Sequence, residues 1–145
     1  MVQVVLPNDA NPLGFILGGT VMHLIDIAGA ITASRHTRCA VVTAAVDGLQ
    51  FLHPIKVGDL IILNAHVTCA FTTSLEVQVD VFSEETLTGN RKMTSTAFLT
   101  FVAIGNDGQR TSVPGLIVES DPERRVCDEA HARRAQRLAN RSTSS

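Results

Sequence analysis

One carboxylate stands inside an apolar run. In "GGTVMHLIDIAGAI", residues 18–31, Asp26 is the only acid among side chains that are almost all apolar or small. An unpaired ion buried there would cost roughly several kcal/mol. Three roles could offset that cost. Asp26 could pair with Arg35, Arg38 or His23. It could bind a metal, although only His23 is a nearby ligand and no third is in view. It could be a catalytic acid or base, since active sites tolerate such costs. Gly18 and Gly19 stand where the helix should begin, and first-turn N–H groups are unpaired and carry partial positive charge. Such a turn can hold a carbonyl oxygen as it gains negative charge, or it can be an ordinary glycine helix start.

The elements that must position these residues follow from periodicity. "VQVVLP" (2–7) is a short strand, and "NDANPLG" (8–14) is dense in turn formers. The helical pattern runs from Gly18 to about Arg35. Its Val21, Met22, Leu24, Ile25, Ala28 and Ile31 cover more than one face and predict a mostly buried helix. A stripe of His23, Asp26, Gly29 or Ala30, and Ala33 reads as a contact surface. Strands are expected at 40–52, 60–71, 74–85 and 92–104, joined by tight turns that favour antiparallel neighbours. In the third of these, Leu75, Val77, Val79 and Val81 alternate with Glu76, Gln78 and Asp80, which predicts one buried and one wet face.

After Pro114 the character changes. Residues 120–141 hold six of the ten arginines, behind an N-cap candidate, Asp121, and Pro122. This reads as a solvated C-terminal helix, with a role near a ligand phosphate as the alternative. The expected organisation is one domain over 1–118, a polar helix over 119–141 and a disordered tail over 142–145. The fold class is α+β, a long helix wrapped by an antiparallel sheet. A sheet that covers only one side of the helix hints at a dimer.

Composition narrows the partners. The 145 residues are 45% hydrophobic and 18% charged, with a net charge of −2. No basic excess points to nucleic acid. No apolar run is long enough to span a membrane, and the N-terminus lacks the pattern of a signal peptide. Cys39, Cys69 and Cys127 are odd in number and widely spaced, which argues against a disulfide framework and a Cys-rich zinc site. A reducing cytoplasm is the simplest reading.

The segment "LPNDANPLGFILGGTVMHLIDIAGAI" closely resembles hot-dog-fold acyl-CoA thioesterases of the cytosolic long-chain acyl-CoA hydrolase type. The matching residues are Asn11, Gly14, Gly18–Gly19 and Asp26. Similarity continues through "FLHPIKVGDLI", "TTSLEVQVDVFSE" and "LTGNRKMTSTAFLTFVAI", over roughly residues 3 to 118. The resemblance implies a helix wrapped by a five-stranded antiparallel sheet. It implies a homodimer with sites at its interface, assembled further into a hexamer as a trimer of dimers. It implies hydrolysis of acyl-CoA to a fatty acid and coenzyme A, with no metal and no cofactor beyond the coenzyme A of the substrate. Asn11 and Asp26 would be catalytic, meeting across the subunit interface, with the Gly18 and Gly19 N–H groups at the oxyanion.

Thr72, Thr73 and Ser74 would bind substrate. Some relatives have Gly-Arg or Lys before this Ser, where the present chain has Phe71-Thr72-Thr73. Arg35, Arg91 and Lys92 are the candidate substitutes for phosphate contact. Two other readings stay open: a hot-dog hydratase or dehydratase using a His23–Asp26 pair, and a non-catalytic acyl-CoA-binding module.

Overall fold

A computed structural model describes residues 1–143. Strand β1 (Val2–Val4) leads into a loop and helix α1 (Gly18–Thr37). Four long strands follow, β2 (Ala40–Phe51), β3 (Leu60–Ala70), β4 (Ser74–Glu84) and β5 (Arg91–Ile104), and then helix α2 (Asp121–Thr143). Every pairing is antiparallel, in the order β1-β3-β4-β5-β2. This is the five-stranded α+β architecture expected. The tail expected from residue 142 is helical through Thr143, and its last two residues lie outside the described ones.

The alternation in β4 builds the inner layer. Leu75, Val77, Val79 and Val81 are fully buried and share one core with Leu99 and Phe101 of β5 and Val21, Leu24, Ile25 and Ala28 of α1. Each large apolar side chain buried this way contributes about 1.5–3 kcal/mol. Helix and sheet approach closely at one point. A Cβ on Gly29 would lie 3.0 Å from Cζ of Phe101.

That approach divides the small-residue stripe expected beside Asp26. Gly29 and Ala33 turn into the sheet, while His23, Ile27 and Ile31 face outward, with Asp26 and Ala30 half-buried. Ile31, expected in the core, is 50% exposed. Periodicity reveals that a helix has two small or apolar sides. It does not reveal which one meets the sheet.

The outer face of β4 also departs from expectation. Glu76 is buried, not wet. Helix α2 crosses the outer face, and Arg133 grips the Glu76 carboxylate with a fork of Nε–Oε2 at 2.9 Å and Nη2–Oε1 at 2.8 Å. Thr68 Oγ1 donates to the same carboxylate at 2.6 Å. The Arg133 guanidinium lies 3.7 Å from the centre of the Phe98 ring. The Glu76 bond holds the Arg133 pKa above its ordinary value, against the opposing effect of burial. Further along, Arg137 Nη1 donates to Asp47 Oδ2 at 2.7 Å. So α2 is docked along one stripe, Val126, Cys127, Ala130, Arg133 and Arg137, and the rest of it is exposed, as a solvated helix would be. Its N-cap is Ser120, one residue before the expected Asp121: Ser120 Oγ accepts the Glu123 N–H at 3.3 Å.

The cysteine reading needs a correction too. Cys69 of β3 and Cys127 of α2 form a disulfide across a separation of 58 residues, leaving Cys39 free. Spacing along the chain could not show that a strand and a distant helix bring the two together. His131 places a ring nitrogen within 4.8 Å of both sulfurs, and its ring stands nearly perpendicular to that of Phe71, with centres 5.0 Å apart. Sulfurs bonded to each other are not the thiolates a metal ion requires.

Protein kept free of reductant should therefore expose one titratable thiol per unfolded chain, and three after reduction. In the chain-entropy model, opening a loop of this length lowers the unfolding free energy by about 4 kcal/mol. Three reactive thiols before reduction would contradict the bond.

Candidate active site

The Asn11 loop is fixed by its own hydrogen bonds. Asn11 Oδ1 accepts the N–H groups of Leu13 at 3.0 Å and Phe15 at 3.1 Å. The Asn11 carbonyl accepts the Gly14 N–H at 3.0 Å, and Gly14 takes φ +86, the left-handed region that favours glycine. Ile16 and Leu17 are tied to Ile55 and Asp9. With its oxygen doubly engaged, the Asn11 amide is oriented and its NH2 is left as a donor.

Asn11 opens onto a cleft of about 400 Å³ shared with Gly18, Phe51, His53, Thr94 and Ser95. Leu17 is the N-cap of α1, and the helical bonds begin with Thr20 and Val21, whose N–H groups both reach the Leu17 carbonyl. The N–H groups of Gly18 and Gly19 thus precede the first helical bonds, at the positive end of the helix dipole. A Cβ on Gly19 would meet nothing within 4 Å. Ser95 is buried in this cleft, and its Oγ has no hydrogen-bond partner among the described residues.

Asp26 lies elsewhere. It follows Gly18 by eight residues of helix, or about 12 Å along the axis, and it does not line the Asn11 cleft. Its carboxylate is half-exposed, so the deep burial expected for it does not hold in a single chain. None of the expected pair partners, Arg35, Arg38 or His23, holds it. Its partner is Thr43 of β2, whose Oγ1 donates to Oδ1 at 2.6 Å. Thr43 is invisible to sequence reasoning because a threonine in a β-branched run reads as a strand former. One chain therefore carries two half-sites: Asn11 with the glycine turn, and Asp26 with Thr43.

The other expected contacts scatter. Thr73 and Ser74 line a separate cleft on the outer face, with arginines of α2. Thr72 is exposed beside them, its carbonyl accepting the Val113 N–H. Arg35 sits over a hollow near Met1 and Leu63. Arg91 pairs with Glu84 at 3.3 Å and lies over the Phe82 ring. Lys92 is exposed on the same hairpin, opposite Ser83. Neither Arg35, Arg91 nor Lys92 lines the cleft of Thr73 and Ser74 or that of Asn11.

Comparison with known proteins decides the family. Residues 13–90 match the family model described as "Thioesterase superfamily". The chain belongs to this superfamily. It is 40% identical over 119 residues to an uncharacterized acyl-CoA thioester hydrolase of Bacillus subtilis, covering 82% of this chain and 69% of that protein. It is 31% identical over 143 residues to the human cytosolic acyl coenzyme A thioester hydrolase. That match covers 97% of this chain but only 38% of the human protein.

Among solved structures it is similar to an acyl-CoA hydrolase of Staphylococcus aureus in complex with butyryl coenzyme A, coenzyme A and coenzyme A disulfide. The TM-score is 0.90 and the identity 38%, over 99% of this chain and 88% of that one. An apo-hexameric acyl-CoA thioesterase gives a TM-score of 0.92 at 39% identity, over 100% and 92%. The hot-dog architecture is thus that of its structural neighbours. Structures also exist of the S. aureus enzyme with one asparagine, one aspartate or one threonine changed to alanine. The asparagine precedes the aspartate by 15 residues, and the threonine follows it by 17.

The two roles of the Asn11 amide are separable. Asn11→Ala removes the acceptor for Leu13 and Phe15 and should cost about 1–2 kcal/mol in chemical denaturation. Asn11→Asp keeps an acceptor oxygen and loses the NH2 donor, so its stability should stay near that of the parent. Equal losses in the two variants would show that Oδ1 does not hold the loop.

Proposed function

We propose that the protein hydrolyses acyl-CoA thioesters to a free acid and coenzyme A, with Asp26 as the reacting carboxylate. The observation that carries this reading is the 2.6 Å bond from Thr43 to Asp26 Oδ1. It fixes one carboxylate oxygen and leaves Oδ2 for a water molecule. The spacing of Asn11, Asp26 and Thr43 supports it, since the three altered residues of the S. aureus enzyme stand at the same separations.

As general base, Asp26 takes a proton from water as that water attacks the thioester carbon. The C–S bond then breaks and the coenzyme A sulfur leaves, collecting the proton. Direct attack by the carboxylate, through a mixed anhydride that water hydrolyses, is the second route. Gly18 and Gly19 N–H groups at the helix start suit the oxyanion, and the Asn11 NH2 suits the water or the carbonyl. A thioester is already activated, so the reading requires no cofactor. A His23–Asp26 dyad for hydration finds less support, because Asp26 is engaged by Thr43 and His23 is exposed.

The active unit in this reading is a dimer, built further into a hexamer. The separation of the two half-sites along α1 favours it, and so does the edge strand β2. β2 is the last strand of the sheet, with Val42 52% and Val46 37% exposed. A long apolar edge invites a second copy. A cytoplasmic location rests on the name of the human relative. Among the described residues no helix is long and apolar enough to cross a membrane. In a reducing cytoplasm the Cys69–Cys127 bond would face reductant.

Asp26→Asn should lower kcat on butyryl-CoA by about a hundredfold or more. Thr43→Val, which keeps the shape and removes the hydroxyl, should lower it about tenfold. Normal turnover by a folded Asp26→Asn protein would end the proposal.

Subunit mixing tests the shared site. Asn11→Ala and Asp26→Ala proteins, each inactive, should recover about a quarter of parent activity after exchange. About half of the dimers are then mixed, each with one intact site of two. Demonstrated exchange without recovery would place both residues in one subunit's site.

A further inference from the structure

The fold puts a third donor beside the Cys69–Cys127 pair, one that a disulfide does not need. Cys69 Sγ, Cys127 Sγ and a ring nitrogen of His131 all lie within 4.8 Å of one another. Cys127 and His131 are four residues apart on α2, so they share a helix face. That spacing lets two side chains of one helix hold a single metal ion. Cys69 reaches them from β3, which carries a bulge between Val67 and Cys69. On a regular strand, residues two apart share a face. Here Val67 opposes Val77, which is in the core, while Cys69 opposes Glu76, on the face that α2 covers. Bulges re-aim side chains in this way, often beside functional sites.

Phe71 orients the His131 ring. The two rings stand at 77° with centres 5.0 Å apart, a favourable edge-to-face contact. The β3 bulge, the turn after β3 and α2 thus gather two sulfurs and one imidazole. Among the described residues no other group of three or more His, Cys, Asp or Glu side chains stands close enough to hold one ion.

Two thiolates and a neutral imidazole are a zinc donor set. Charge also favours a divalent ion. Zinc with two thiolates is neutral overall, and Cys69 is 0% exposed, where a net charge would be costly. The disulfide and the metal exclude each other, since bonded sulfurs are not thiolates. Reduction connects the two states. A dithiol that exchanges with the pair breaks the S–S bond and closes into its own disulfide, passing two electrons and two protons to Cys69 and Cys127. Zinc then displaces the two thiol protons.

We propose that the reduced pair, Cys69 and Cys127, binds one zinc ion together with His131, with water at the fourth position, and that this ion fastens α2 to β3 when the disulfide is open. None of the three residues lines the Asn11 cleft, and none holds Asp26, so the test reads metal binding and stability, not turnover. The full chain is reduced with a phosphine in the presence of cobalt(II) or zinc(II), so that the helix is never left without a fastening. Circular dichroism checks that the fold is kept.

Cobalt should bind at one ion per chain, with thiolate charge-transfer absorption and the visible bands of a tetrahedral site, and zinc should bleach both. Two protons should leave for each ion bound. The oxidised protein should show neither effect. Zinc should raise the thermal midpoint of the reduced protein by about 5 °C or more, and a chelator should reverse the shift. His131→Gln should still close the disulfide, seen as one titratable thiol in the unfolded oxidised chain. It should bind zinc about a hundredfold less tightly, since a direct ligand counts for at least as much as its hydrogen-bond partners. A reduced parent without the tetrahedral spectrum, or binding that survives Cys127→Ser, overturns the proposal. Equal affinity in His131→Gln would leave His131 a partner of Phe71 alone and overturn it too. So would loss of the fold on reduction with zinc present.

Discussion

The height of α1 above the sheet is set at Gly29. With hydrogen in place of a side chain, the helix backbone settles against the Phe101 ring, where a Cβ would come within 3.0 Å of its edge. Interiors packed at crystal density do not give way easily to such an intrusion. One turn earlier on the same helix stands Asp26, and its bond to Thr43 spans helix and edge strand at 2.6 Å. A helix lifted to admit a methyl group at position 29 would lengthen that bond. Gly29 thus lets the helix that carries Asp26 lie close to the sheet whose edge strand carries Thr43.

The second layer of support lies on the other side of the sheet. Glu76 is a carboxylate in a strand whose inner neighbours are all buried, and the outer face would leave it poorly solvated under α2. Arg133 and Thr68 satisfy it, and Phe98 offers its ring to the same guanidinium. Burying such a pair is not a strong net source of stability, but removing one partner strands the other. Its effect is positional: it fixes where α2 crosses the sheet. The Cys69–Cys127 bond and the Arg137–Asp47 pair fix the same helix one turn or more to either side. With three points held, Arg134 and Arg141 of α2 share one cleft with Ala44 and Ala45 of β2 and Thr100 and Val102 of β5.

What could be read from the sequence divides along this boundary. The β4 alternation, the helical run from Gly18 and the tight turns describe contacts within one element or between neighbours, and they predicted the inner layer well. Asp26 is legible from its chemistry, and Asn11 only through likeness to a family. Thr43 is not legible, because its meaning depends on a helix 17 residues away in sequence. The same limit hid the Cys69–Cys127 bond and the burial of Glu76. Each depends on α2 folding back over the sheet, and a polar, arginine-rich helix carries no periodic signal that announces a partner. The stripe on α1 differs from expectation for a related reason. Gly29 and Ala30 are equally small, and only the Phe101 ring distinguishes them.

Asp26 stands in an apolar run of sequence but not in an apolar place in the single chain. In one chain Asp26 is half-exposed, so its charge costs little and also gains little. A base of this kind becomes effective when water is excluded and its one remaining partner is the reacting molecule. Among the described residues the surroundings are open to water, because β2 is the sheet edge and its Val42 and Val46 are exposed. On the proposed reading, a second copy covering that edge supplies two things in one step. It brings an Asn11 amide and a glycine turn to the carboxylate, and it dries the surroundings in which they act. Catalytic competence and assembly are then one event, and the free-energy cost of confining the Asp26 charge is met by the apolar edge that closes over it.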